Sequence, residues 1–218
     1  MQNISVVIPV ETIRRAAAVV KDLVAENARI DEAIRALPPV SEEQDGKKGM
    51  EARDVVLKIC EKHRADACQK AQEELTALYG QYQEAIDEQT TPSGEATQSA
   101  DYALFRDDLI TSPEQLARVL FRNNNVTFAY AAEQYAKRHG WEGYDVRTNE
   151  TQARDFGAQV FDTCRRGIQF PGGYFSLYAQ DDKFLEGVAS SCGLDTSFLK
   201  SEAEGENSAE SAAESVTE

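Results

Sequence analysis

The sequence has few of the residues that catalytic and metal sites most often use. Its 218 residues include two histidines and four cysteines, at Cys60, Cys68, Cys164 and Cys192, with no Cys-x-x-Cys pair. On one helix Cys60 and Cys68 would lie about 12 Å apart, too far for a disulfide. No G-x-S-x-G, P-loop or G-x-G-x-x-G motif is present. We therefore expect a protein that is not an enzyme and that uses no metal or cofactor.

Long apolar runs are also absent. No stretch approaches the roughly 18 apolar residues that suggest a membrane-spanning helix. The first residues do not show a charged segment followed by an apolar one. These features predict no membrane contact and a reducing, cytoplasmic location.

Positive charge is scarce, because 23 lysines and arginines face 38 acidic residues and the formal net charge is −15. Such a chain repels nucleic-acid backbone on average and suits a basic protein partner. Residues 112–139 predict a helix–turn–helix, but its second helix begins without basic side chains, so nucleic-acid contact is not expected. The segment 201–218 holds six glutamates and no aromatic residue, which predicts a disordered acidic tail.

The most specific pattern is a run of four heptads in residues 10–37, with apolar residues alternately three and four apart. β-branched residues at position a, with one asparagine among them, favour pairing in a fixed register. Self-association is predicted through Ile13, Val20, Leu23, Asn27, Ile30, Ile34 and Leu37. Apolar Val19 and Ala33 widen the stripe, which suits a bundle of three or more helices. Whether these helices pair within one chain or between chains is left open.

A second helical stripe follows from about residue 50 to residue 89, after Pro38 and Pro39 end the first helix. It contains Ile59 and His63, and small residues in its middle allow the first helix to approach closely. The predicted fold is all-α, with a long N-terminal helical hairpin or coiled coil followed by a small helical domain. The expected divisions are 1–91 for the long helices, 92–100 for a linker, 101–200 for the compact domain and 201–218 for the tail.

The second half of the chain predicts several short helices. Ser112 is a suitable N-cap, and Gln115 three residues later completes a capping box. Gly140 and Gly167 are expected to end the next two helices. One further helix is predicted over about 175–191. Strand signals are weak, and residues 4–8 carry the single plausible one.

The segment "CRRGIQFPGGYFSLY", residues 164–178, combines two arginines, four aromatic residues and a Pro-Gly-Gly turn. Arginine and tyrosine are favoured at protein interfaces, which predicts partner binding through Arg165, Arg166, Phe170 and Tyr174. The alternative is a helix–corner–helix that only packs. Phe175 is expected to cover the core in either case.

These features together favour a non-catalytic helical assembly or adaptor protein that binds other proteins and forms a homo-oligomer. A second hypothesis comes from the charge of −15. An acidic inhibitor that mimics nucleic acid could block a DNA- or RNA-handling protein.

Overall fold

The computed structural model describes residues 6–37, 46–144, 148–179, 181 and 183–199, and for 46–51 the backbone alone. Within these ranges the chain forms eight α-helices, two 3₁₀ turns and no strand, which confirms the all-α prediction. The helices are α1 (Val10–Arg35), α2 (Gly46–Thr90), α3 (Ala100–Arg106), α4 (Pro113–Arg122), α5 (Val126–His139), α6 (Thr148–Gln169), α7 (Tyr174–Ala179) and α8 (Phe184–Ser191). The predicted stop at Pro38 and the predicted acidic tail lie outside the described residues.

The helices divide into two compact units. The α1 unit consists of Glu11–Gln81 and Ala158–Gly187, and the α5 unit of Met1–Val10, Tyr82–Gly157 and Val188–Glu218. These units do not coincide with the ranges 1–91 and 101–200, which we derived from composition. Composition does not record which helices pack together, so the boundaries at 92–100 stay a prediction about separately folding segments.

In the α1 unit, α1 and α2 lie side by side and are joined by polar contacts. Arg64 of α2 forms an ion pair with Asp31 of α1, and His63 Nε2 lies 3.5 Å from Glu26 Oε1. The heptad residues of α1 are buried from its start as far as Ile30, apart from Asn27. Burial of this stripe is what stabilises α1, because helix propensity alone contributes little to a long helix.

The stripe of α2 is buried only in its later part. Leu75 and Leu78 are almost fully buried, whereas Ile59 is 62% exposed and His63 is exposed as well. The prediction that Ile59 belongs to the buried stripe is therefore wrong. At 100° per residue Ile59 and Leu78 lie about 100° apart around the helix, so one neighbouring helix cannot cover both.

The core of the α5 unit is a cluster of aromatic rings from α3 and α5. The Phe105 ring meets the rings of Phe128 and Tyr135 edge to face, with centroids 5.9 and 5.8 Å apart. Tyr135 is buried, and its hydroxyl donates a hydrogen bond to the Ile110 carbonyl at 2.8 Å. The buried hydroxyl thereby avoids the cost of an unpaired polar group.

The helix starts of this unit agree with the sequence in most details. Ser112 caps α4, since its Oγ accepts a hydrogen bond from the Gln115 amide at 3.3 Å. In a capping box the Gln115 side chain would accept a hydrogen bond from the Ser112 amide. Here Gln115 Oε1 accepts from the amide one residue earlier, that of Thr111, at 2.9 Å. Gly140 ends α5 with φ 67°, as predicted.

Two other local predictions need correction. Helix α6 continues past Gly167 to Gln169. Gly167 does not end the helix but allows other parts of the chain to pack closely against it. A Cβ there would lie 3.0 Å from Val20 Cγ1 and 3.2 Å from Ser176 Cα. The helix predicted over 175–191 is two helices, and between them Asp181 Oδ1 accepts a hydrogen bond from the Lys183 amide at 2.9 Å.

The weak strand signal at residues 4–8 is also wrong where the structure describes it, since residues 6–8 are not in a strand. The backbone groups of Val7 form hydrogen bonds with the Gln89 side chain instead. It accepts from the Val7 amide at 2.8 Å and donates to the Val7 carbonyl at 3.0 Å. A side-chain amide thus supplies the bonds that a neighbouring strand would have made.

Candidate protein-docking surface

The turn between α6 and α7 is held by a small buried hydroxyl. Ser176 is fully buried, and its Oγ accepts a hydrogen bond from the Gly172 amide at 2.8 Å and donates to the Gly173 carbonyl at 3.1 Å. Gly172 has φ 84°, a conformation that favours glycine. Satisfied backbone groups and a left-handed glycine make this turn a rigid support for the side chains beside it.

Helix α7 buries its two small residues, half-buries Phe175 and Tyr178, and exposes Tyr174 and Leu177. Its buried residues are Ser176 and Ala179, whereas Tyr174 is 72% exposed and Leu177 is 61% exposed. Phe170, at the end of α6, is 67% exposed. We call Phe170, Tyr174 and Leu177 the aromatic corner. Several large apolar side chains exposed along one short segment mark an interaction surface more often than a scattered single residue does.

The exposed Tyr174 ring of the corner is held by its neighbours. The Tyr174 ring stacks on Tyr178 with centroids 5.8 Å apart and an angle of 6°, and it meets Phe175 edge to face at 5.5 Å. Tyr178 in turn packs edge to face on buried Phe184 at 5.0 Å. Through Tyr178 the exposed ring of Tyr174 is therefore connected to the core.

The two predicted arginines lie on α6 beside this corner and differ in their contacts. Arg166 Nη2 lies 2.8 Å from Asp162 Oδ2, and its guanidinium is 5.1 Å from the centre of the Phe175 ring. Arg165 is exposed on the last turns of α6. The four predicted residues are thus all exposed, with Arg165 and Arg166 on the last turns of α6, Phe170 directly after it and Tyr174 at the start of α7.

Sequence reasoning missed Leu177, which completes the aromatic corner. Leu177 lies three residues after Tyr174, and this spacing places both on one face of a helix. This spacing was visible in the sequence, but a leucine in an amphipathic pattern is normally assigned to the core. Only the burial of Ser176 and Ala179 shows which face of α7 points inward.

The predicted self-association residues have three different environments. Ile13, Val20, Leu23 and Ile30 are buried within a single chain. Ile34 and Leu37 are half-buried. The third environment is that of Asn27, whose Nδ2 is buried and has no hydrogen-bond partner. The buried part of this heptad stripe, which we call the seam, is thus already covered by the same chain. Pairing within one chain is one of the two possibilities that the sequence left open.

A cavity of about 720 Å³ lies along α1 and α2 beside these buried residues, and Leu23 is one of its lining residues. Small apolar residues from both helices line it, among them Ala18, Ala25 and Ala67, and charged side chains flank them. We call this cavity the α1–α2 groove. Its volume falls in the range of ligand and docking sites.

Among the described residues we find no candidate metal site, no membrane-spanning helix and no reactive buried thiol. In 6–37, 46–144, 148–179, 181 and 183–199, no group of three histidine, cysteine or acidic side chains could hold a metal ion. None of the helices in these ranges is long and apolar enough to span a membrane. Cys164 is fully buried, and burial raises the pKa of its thiol to about 12, which leaves it protonated and unreactive at neutral pH.

No family model, no curated protein and no solved structure matches this chain. The functional interpretation therefore depends on the geometry of the aromatic corner and of the α1–α2 groove.

Proposed function

We propose that this protein is a non-catalytic assembly or adaptor protein that binds another protein through the aromatic corner and associates with itself. The observation that supports the first part is the exposure of Phe170, Tyr174 and Leu177 around the turn between α6 and α7. Two of these three are aromatic, and aromatic residues and arginine are enriched among the residues that dominate binding energy.

The corner can supply enough energy for specific binding. Burying a large apolar side chain contributes about 1.5–3 kcal/mol, so three such residues offer several kcal/mol. The Tyr174 ring is already stacked on Tyr178, which lowers the entropy lost when it is fixed in a complex. The charge of −15 attracts a basic partner over a distance and raises its association rate.

Photo-crosslinking of the full chain tests this function. A benzophenone amino acid at Tyr174 should capture a defined partner from the lysate of the source cells. The matched control carries the same group at Leu109, which is 59% exposed and lies in the α5 unit. A Phe170→Ser/Leu177→Ser variant should abolish the Tyr174 crosslink while its far-UV circular dichroism stays unchanged.

Two outcomes would contradict the corner as the docking surface. One is the same set of captured proteins from Tyr174 and from Leu109. The other is a partner whose capture survives the double serine variant but disappears when salt is raised. The second outcome would favour the acidic-inhibitor hypothesis, because exposed charge pairs are screened by salt and apolar contacts are not.

A further inference from the structure

We propose that the α1–α2 groove is the surface on which two copies of this chain pair, an inference that rests on the proposed self-association and assigns its location. The heptad seam predicted this role, but its residues from Ile13 to Ile30 are largely buried inside one chain. The groove lies on the side of the same two helices that the described chain leaves open. Val19, which widens the stripe beyond the seam, is one of its lining residues.

The floor of the groove suits close helix packing. Val19 and Leu23 are buried there, and Ala67 and Ala71 face them from α2. Alanines at a contact allow helix axes to approach to the short end of the usual range of about 8–10 Å. A second pair of helices laid on this floor would form a four-helix arrangement, as the wide apolar stripe of α1 predicts.

The apolar surface continues along α2 beyond the groove. Ile59 lies on the same face as His63, Asp66 and Lys70, because these residues follow at four, seven and eleven positions. Ile59 is 62% exposed, and Val55 one turn earlier is 57% exposed. Their exposure is costly in a lone chain, and a second copy over the groove would remove both side chains from water.

The charges of the groove identify the occupant as a second copy. Its basic side chains are those of Arg15, Arg29 and Lys70, and its acidic side chains are those of Asp22, Glu26, Asp66 and Glu74. With His63 neutral the formal charge of this lining is therefore close to zero, although the whole chain carries −15. Two chains of charge −15 repel each other, and they do so least where each presents both signs in similar number.

A two-fold axis through the groove lays this mixed lining on the same lining of the other copy. Each copy then offers both acidic and basic side chains to the other, so ion pairs can form across the axis. A strongly basic or strongly acidic partner would instead meet like charges along part of the lining. The groove thus favours a copy of itself over a partner with charge of one sign.

Sedimentation of full-length variants with opposite charge changes provides the test. Arg15→Glu/Lys70→Glu makes an acidic groove, and Asp22→Lys/Asp66→Lys makes a basic one. All four residues are exposed. Each variant alone should self-associate at least about tenfold more weakly than the wild type, because like charges then face each other. An equimolar mixture should restore pairing as a heterodimer.

The control is Lys21→Glu/Arg118→Glu, which makes the same charge change as the acidic variant at exposed positions of α1 and α4 outside the groove lining. It should pair nearly as well as the wild type. Circular dichroism checks that every variant is folded. Restored pairing in the mixture is a readout that misfolding of either variant could not produce.

The proposal is overturned if the wild type sediments as a monomer at the highest concentration reached. It is equally overturned if the groove variants pair as tightly as the wild type, or if the control weakens pairing as much as they do. None of these results bears on the Tyr174 crosslink, which probes a different surface. Loss of that crosslink with intact pairing would remove the adaptor function and leave the groove assignment standing.

Discussion

Replacement of Gly157 by alanine should destabilise this protein, although the same change normally stabilises a helix. Gly157 lies inside α6, and a Cβ built there would be 2.7 Å from Cζ and 2.8 Å from Cδ1 of the Tyr82 ring. Real side chains essentially never approach so closely. The ring cannot move aside easily, because Tyr82 is 1% exposed and its hydroxyl donates to the Ala153 carbonyl at 2.6 Å.

The magnitude follows from opposing contributions. Alanine is favoured over glycine in a helix by about 1 kcal/mol. Overpacking a buried site costs about 1–3 kcal/mol. If the ring shifts, the Tyr82 hydroxyl also loses its acceptor, which costs about 1–3 kcal/mol for a buried group. We expect Gly157→Ala to lower the free energy of unfolding by about 2 kcal/mol, or Tm by about 4–8 °C for a chain of this size.

Urea denaturation followed by circular dichroism measures this loss, and Gly80→Ala serves as the matched control. Gly80 lies in α2, and a Cβ there would meet no atom within 4 Å. Its replacement should raise the free energy of unfolding by about 0.4–1 kcal/mol, because alanine restricts the unfolded chain. The two variants should therefore shift stability in opposite directions.

A double-mutant cycle with Tyr82→Leu separates the clash from other effects. Leucine removes the ring atoms that the added Cβ would meet, so Gly157→Ala should cost less in that background, with a coupling of at least about 1 kcal/mol. The reasoning would be refuted if Gly157→Ala were as stable as the wild type. An additive cycle would refute it as well.

Two further predictions concern buried polar groups of the α1 unit. Asn27→Leu should raise the free energy of unfolding by about 1 kcal/mol or more, because it removes a buried donor without a partner. Asn27→Asp should lower the free energy of unfolding. A leucine variant that is less stable than the wild type in urea denaturation would contradict the first expectation. For Cys164, burial raises the pKa from 9.0 to about 12, so the native state retains a proton that the unfolded state loses. Wild-type stability should then fall relative to Cys164→Val by about 1.4 kcal/mol per pH unit above pH 9 in pH-dependent urea titrations; parallel curves would show that the thiol can ionise in the native protein.

The candidate docking surface was partly predictable. Arg165, Arg166, Phe170 and Tyr174 were predicted from the composition of residues 164–178, and all four are exposed in the structure. The Pro-Gly-Gly segment indicated the turn itself, since glycine permits the left-handed conformation at Gly172. Leu177 was missed because the inward face of a short helix depends on what packs against it. That face is occupied by the small side chains of Ser176 and Ala179, whereas a hydrophobic pattern favours the larger Leu177 for the core.

Helix content and many helix ends were determined by the sequence alone, because caps and periodicity are local properties. Ser112 and Gly140 act where their neighbours in the chain place them. Which apolar residues are covered was decided only by the tertiary structure. Ile59 and Leu78 belong to one drifting stripe, yet the first faces water and the second is buried. Burial depends on the position of a second helix, and the spacing of residues along the first helix does not contain that position.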